Sequence, residues 1–185
     1  MDKDRKFVRE YSLNVVRLGL GKHQDSFEIN DAFFAHFEQS MVREAKVEAL
    51  LDIEKFSTHL DVGFHIKGEV RLACDRCGSP YPHTVDQRFR IIYSFDPDMD
   101  FEGYEVMHVN NQESHLVLIQ ELYDFVHLAI PMRKVPPKEV HLCAAEVLKM
   151  LGLTEDGDPM EQKESQQETD PRWDALKNLK DKMGG

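Results

Sequence analysis

The chain lacks any apolar run of the roughly 18 residues that a membrane-spanning helix needs. Its start, MDKDRKFVREYSL, is charged and carries no apolar leader core, so the expected setting is the cytoplasm. Cysteine is scarce, three residues in 185, and odd in number. In a reducing compartment that argues against a disulfide framework, and a chain of this length buries a core without one. Basic residues are outnumbered, 23 Lys and Arg against 34 Asp and Glu, for a net charge of −11. Such a chain has no long-range attraction to nucleic acid, which argues against a general nucleic-acid binder; phosphate binding needs a local basic patch. Also missing are a Ser-His-Asp pattern, a Gly-rich phosphate loop, an HExxH helix and a paired-carboxylate motif. Nothing marks an active site, and the expectation is that the chain is not an enzyme. No internal repeat is present.

What is there reads as a globular body. Hydrophobic residues make up 41% of the chain and charged residues 31%. Residues 10–18, EYSLNVVRL, alternate and predict a strand, followed by a turn at GLGKHQ. SFEINDAFFAHFE predicts a short strand, then a helical turn from Asp31 with Phe33, Phe34 and Phe37 as core. Residues 43–53 fit both periods and are read as a strand. Leu60, Val62, Phe64 and Ile66 alternate with polar residues, and the phase resumes at Val70, Leu72 and Cys74. That predicts a hairpin, or one bent strand with a bulge at Gly68. HTVDQRFRIIYSF continues as a strand, DPDMDFEG as a loop, and YEVMHVN as a short strand. Residues 113–130 carry a helical stripe of Leu116, Ile119, Leu122, Tyr123, Val126 and Ile130. Pro131 ends it, PMRKVPPKEV is an extended linker, and Cys143 to Leu151 predicts a short helix closed by Gly152.

The fold class is α+β, an antiparallel β-rich body with two or three helices and a flexible acidic C-terminal linker. The domain reading is a body over 1–153, an acidic disordered linker over 154–169, and a short helix and tail over 170–185. Asp170 and Pro171 supply an N-cap and a first helical residue there, and Trp173, Leu176 and Leu179 share a face.

The chemistry-bearing stretch is RLACDRCGSPYPHTV, residues 71–85. Cys74 and Cys77 stand in Cys-x-x-Cys spacing with Gly78 directly after. Two such thiolates can grip one Zn²⁺ from a tight turn, and glycine tolerates the positive φ the turn needs. A redox pair would need a helix after the motif; here Pro80 and Pro82 and a strand pattern follow, and that reading loses most of its support. Plain structural thiols remain the bland alternative. A full metal site needs two more ligands; Cys143 is the obvious third, and His141 or His83 can be the next. His59 and His65 fall on the polar phase of a strand and are read as exposed, and His108, His115 and His127 have no ligand spacing.

Taken in order, these motifs resemble the YceD family of bacterial large-ribosomal-RNA accumulation proteins. GEVRLACDRCGSPY is similar to that family's strand leading into a Cys-x-Arg-Cys motif and a following aromatic. ELYDFVHLAIPMRKVPP is similar to its acidic-start helix ending in a Leu-Ala-x-Pro-type segment, and DPRWDALKNLK to a common family ending. The resemblance spans roughly residues 10–180. It implies a non-enzymatic role in large-subunit ribosomal RNA accumulation and maturation, linked to ribosome assembly in the cytoplasm, with metal binding and nucleic-acid binding as family expectations. Cys74, Arg76 and Cys77 match the central motif and Cys143 the later cysteine. This chain departs from the four-cysteine versions, which carry a second pair near the end, so His141 or a water must complete the shell.

The expected cofactor is zinc on Cys74, Cys77, Cys143 and His141. The expected partner is large-subunit ribosomal RNA or a basic ribosomal protein, contacted through Arg71, Arg76, Arg88, Arg90, Arg133, Lys134 and Trp173. Arginine gives bidentate contacts to phosphate, whereas the −11 charge favours a basic protein; ordinary solubilising charges are the bland alternative. Two other classes stay open: an interaction module docking through Trp173, and a metal-dependent nuclease, which would need an open coordination position.

Overall fold

The computed structural model describes residues 2–99, 101–110 and 114–154. The expected linker beyond Thr154, the terminal helix and Trp173 lie outside the described residues. The chain divides into two units, Met1–Leu142 and Cys143–Gly185.

The first unit opens with α1 (Asp2–Glu10), β1 (Ser12–Asn14), β2 (Gly21–Asn30) and α2 (Asp31–Phe34). It continues with β3 (Ala45–Lys55), β4 (His59–Ala73), β5 (Pro80–Ser94) and β6 (Glu105–His108), then β7 (His115–Val117) and α3 (Ile119–Leu128). A five-stranded sheet has the order β2-β3-β4-β5-β6, and β1 pairs with β7 in a separate two-stranded sheet. The body is β-rich, as the alternation predicts. The second unit contributes α4 (Ala145–Met150), ended by Gly152 at φ +66° with Leu153 N–H donating to the Leu148 carbonyl at 2.8 Å. Four helices are therefore present among the described residues.

The period-two rows do what the pattern demands. Leu60, Val62, Phe64, Ile66, Val70 and Leu72 are all buried on one face of β4. Each such side chain stabilises the fold by roughly 1.5–3 kcal/mol. Across that face lies α3, whose Phe125 stacks on Phe89 at 4.3 Å and meets Phe64 edge-on at 5.0 Å. Asn30 caps α2, accepting from the Ala32 and Phe33 N–H groups. Phe33 and Phe34 are buried, and Phe37 stacks on Tyr123 of α3 at 4.0 Å.

Several expectations change. The strand over 10–18 shrinks to Ser12–Asn14, because the Asn14 side chain turns back to accept from Arg17 N–H. The turn at GLGKHQ gives way to β2, which begins at Gly21. At Gly68 there is no bulge: pairing with β3 runs unbroken from Ala45↔Val70 to Lys55↔Leu60. Gly68 instead sits at φ +153°, where a Cβ would lie 2.2 Å from the Lys46 carbonyl oxygen. Close approach of the two backbones, not an extra residue, is what the glycine permits. The sheet is not purely antiparallel, because β6 runs parallel to β5. The connection over 95–104 carries the chain back along β5 before it pairs again. The helical stripe begins at Ile119, with Leu116 in β7 opposite Leu13.

Candidate metal centre

β4 and β5 form a hairpin of two 15-residue strands, and its tip is the cysteine turn. The phase that buries Val70 and Leu72 buries Cys74 as well, at 2% exposure. Gly78 N–H donates to the Cys74 carbonyl at 2.8 Å and Cys74 N–H to the Ser79 carbonyl at 2.9 Å. Gly78 at φ +71° closes the turn, a conformation that costs glycine little. Cys77 is half-buried.

A second strand of chain meets this tip. Asp75 N–H donates to the Lys134 carbonyl at 2.9 Å, and Lys134 N–H donates to Asp75 Oδ2 at 2.7 Å. Lys134 Nζ lies 3.2 Å from Asp75 Oδ1. The backbone hydrogen bond from Lys134, with the help of its ammonium, holds the Asp75 carboxyl below the usual carboxylate range. Farther on, the Val140 and His141 N–H groups both donate to the Pro137 carbonyl, at 3.0 and 3.1 Å. That turn sets His141 Nε2 3.1 Å from Cys77 Sγ. The ligand atoms of Cys74, Cys77 and His141 all lie within 4.8 Å of one another. Cys143, the residue at which the second unit begins, comes two positions later.

These donors fit zinc. Thiolate sulfurs at 2.3 Å from a tetrahedral ion stand about 3.8 Å apart, so the three atoms need to close by no more than about 1 Å. Soft sulfur with imidazole is the donor chemistry that selects zinc over magnesium or calcium. Burial, and then the nearby Cys74 sulfur, push the Tyr81 hydroxyl above its ordinary range, so Tyr81 stays neutral beside the thiols. His83 hydrogen-bonds the Ala129 backbone, and burial lowers its pKa. It is not in the donor group.

The basic residues fall in two places along the hairpin. Arg71, Arg76, Arg133 and Lys134 lie toward the tip. Arg88 and Arg90 come eight and ten residues after Pro80, roughly 26–33 Å up the strand. Arg71 pairs with Glu44 at 3.4 Å and Lys134 with Asp75. Arg90 pairs with Asp61 and places its guanidinium 4.7 Å over the Tyr104 ring; hydrogen bonding to Asp61 pushes its pKa up. Among the described residues, Arg76, Arg88 and Arg133 form no ion pair. His65 is half-buried and hydrogen-bonded to Asp86 at 2.7 Å, and His59 stacks on Phe56 at 4.5 Å. A groove of about 490 Å³ runs beside the tip between Tyr81, His83, Arg133 and Pro136. A larger hollow, about 600 Å³, opens over Gly63 on the outer sheet face, but its Arg90–Asp61 and Gln24–Asp52 neighbours already satisfy one another. Sequence reasoning missed the Asp75–Lys134 contact, because 59 residues separate the partners and neither belongs to a spaced motif.

A hairpin tip that gathers thiols and an imidazole defines a β-rich protein with a Cys/His cluster able to hold a metal ion. The chain belongs to the YceD family, described as large ribosomal RNA subunit accumulation proteins, whose match covers residues 62–180. The matched region starts inside β4 and includes the whole cysteine turn and the proline arm. No curated protein and no solved structure matches the chain. Among the described residues, no helix is long and apolar enough to cross a membrane.

Proposed function

We propose that this protein is a non-enzymatic factor for large-subunit ribosomal RNA accumulation, and that zinc organises the tip of its β4–β5 hairpin as a binding surface. The observation that carries the reading is the grouping of Cys74, Cys77 and His141 at that tip, inside the segment that defines the family. Cys143 is the fourth ligand in this proposal. It follows His141 by two residues in sequence, and its thiol would complete a Cys₃His set. A four-donor shell of this kind is closed, and closed thiolate sites are structural rather than catalytic. That weighs against the nuclease reading.

The partner in this proposal is ribosomal RNA, met at the tip by Arg76 and Arg133. Support comes from their lack of carboxylate partners among the described residues and from the adjoining groove. Guanidinium groups kept out of ion pairs remain able to take phosphate in bidentate fashion. A basic ribosomal protein is the second reading, favoured by the net charge of −11.

The test has two parts. Elemental analysis of the chain purified without added zinc is expected to give about one zinc per chain, reduced in Cys74→Ser and Cys143→Ser. In cells lacking the protein, wild type is expected to restore large-subunit ribosomal RNA, and Cys74→Ser or Arg76→Ala with Arg133→Ala to fail. Metal-free wild-type protein sinks the zinc reading. Full complementation by the double arginine variant sinks the RNA surface, and capture of a purified basic ribosomal protein without RNA selects the second reading.

A further inference from the structure

We infer that Asp75, the residue between the first cysteine and Arg76, is a positioning latch that delivers His141 to the metal-binding thiols. The inference rests on the zinc reading above and adds to it a residue that ligates nothing. Asp75 uses its own N–H and both carboxylate oxygens on one residue, Lys134: N–H to carbonyl at 2.9 Å, Oδ2 from the amide at 2.7 Å, Oδ1 to the ammonium at 3.2 Å. Three contacts to a single residue fix both the place and the direction of the chain there.

Beyond Lys134 the chain is stiff. Pro136 and Pro137 have locked φ, and Val140 and His141 both donate to the Pro137 carbonyl. Six residues of restricted chain thus lie between Lys134 and His141, whose Nε2 stands 3.1 Å from Cys77 Sγ. Without the latch, the imidazole is held near the thiols by the Tyr81 ring 6.1 Å from it and by the His83–Ala129 hydrogen bond farther back, across a chain separation of 64 residues from Cys77. Closing a short, stiff loop costs less entropy than closing a long one. The aspartate therefore raises the local concentration of imidazole at the thiols. Because Asp75 lies inside the cysteine turn, the turn that supplies two ligands also recruits a third.

The test uses the full chain with Asp75→Ala, Asp75→Asn, His141→Ala and the Asp75→Ala/His141→Ala double variant. Hydrogen exchange of the 131–141 amides is measured first in metal-free protein. It is expected to quicken about tenfold or more in Asp75→Ala, with the β3–β4 amides unchanged. Asp75→Asn keeps an oxygen for the Lys134 N–H and recovers most of the protection. Zinc affinity is then measured by competition with a chromophoric chelator. Asp75→Ala is expected to weaken it about ten- to a hundredfold, as loss of an outer partner does. In the His141→Ala background the same change is expected to matter by less than about twofold, since the residue acts through His141. Equal weakening in both backgrounds, or unchanged exchange over 131–141, overturns the latch. A wild-type chain that takes up no zinc overturns the metal reading instead, and the exchange measurement still decides the latch.

Discussion

Two glycines five residues apart in β4 are expected to answer the same substitution in opposite ways. At Gly68, φ is +153° and a Cβ would meet Lys46 O at 2.2 Å, Val47 Cα at 2.6 Å and Lys46 C at 3.0 Å. All three are backbone atoms of the neighbouring strand and cannot swing aside. An L-residue held in that sparsely populated region costs about 1–3 kcal/mol. Relieving the contact means moving β3 from β4 by about 1 Å, which weakens one or two ladder bonds at roughly 1 kcal/mol each. Gly68→Ala is thus expected to cost about 2–5 kcal/mol, a large share of the 5–15 kcal/mol typical of a folded chain. At Gly63 a Cβ meets only Asp52 O at 3.7 Å and Asp52 Cβ at 3.9 Å, ordinary contact, and φ is not positive. Gly63→Ala is expected to be neutral or stabilising by up to about 1 kcal/mol, through a less flexible unfolded chain. Urea denaturation followed by far-ultraviolet circular dichroism measures both. A loss below about 1 kcal/mol at Gly68, or losses of similar size at the two positions, would refute the close-approach argument.

Two further predictions concern α3. Phe125 lies against Phe64 and Phe89, so Phe125→Ala is expected to cost about 3–5 kcal/mol in the same denaturation assay; a loss under about 1 kcal/mol would mean that α3 is not anchored there. Burial pushes the Glu121 carboxyl above its ordinary 4.5, against the opposing hydrogen bond donated by Tyr93. A carboxyl whose pKa rises on folding penalises the native state at neutral pH, and the penalty fades as pH falls through the folded pKa. Glu121→Gln is expected to raise the denaturation midpoint at pH 7, with the gain shrinking as pH falls toward 4.5. A gain that does not change with pH would reject burial of the charge as its cause.

The long strands were legible because one face is buried. From Leu60 to Cys74 every second residue but Gly68 names the core side, and the register accords with it. The short elements were not. In α1, DKDRKFVRE has two apolar residues, and its Phe7 is placed by stacking on His36 at 3.6 Å, a contact that no local pattern encodes. β7 hides inside a helical stripe because Leu116 happens to keep the spacing, while its pairing with β1 is settled by a partner about 100 residues away. β6 was visible as a strand, but not its direction, which depends on how the 95–104 connection returns. At the site, Cys74 and Cys77 announce themselves by spacing, and His141 with Cys143 by being the nearest ligand types to the second half. The electrostatic state of the arginines was hidden. That Arg71 and Arg90 share carboxylates, while among the described residues Arg76 and Arg133 do not, is decided across strands and loops, not along the sequence.

The β4–β5 hairpin also sets a length. Fourteen residue steps at about 3.3 Å each separate its tip, at Ala73 and Pro80, from its root, at His59 and Ser94, so the two ends stand about 45 Å apart. Anything that touches both ends at once must itself present a surface of that span. The hairpin is in this sense a strut: a push or pull on the cysteine turn is carried through fifteen paired residues to the root, where Phe95 N–H is tied to Thr58.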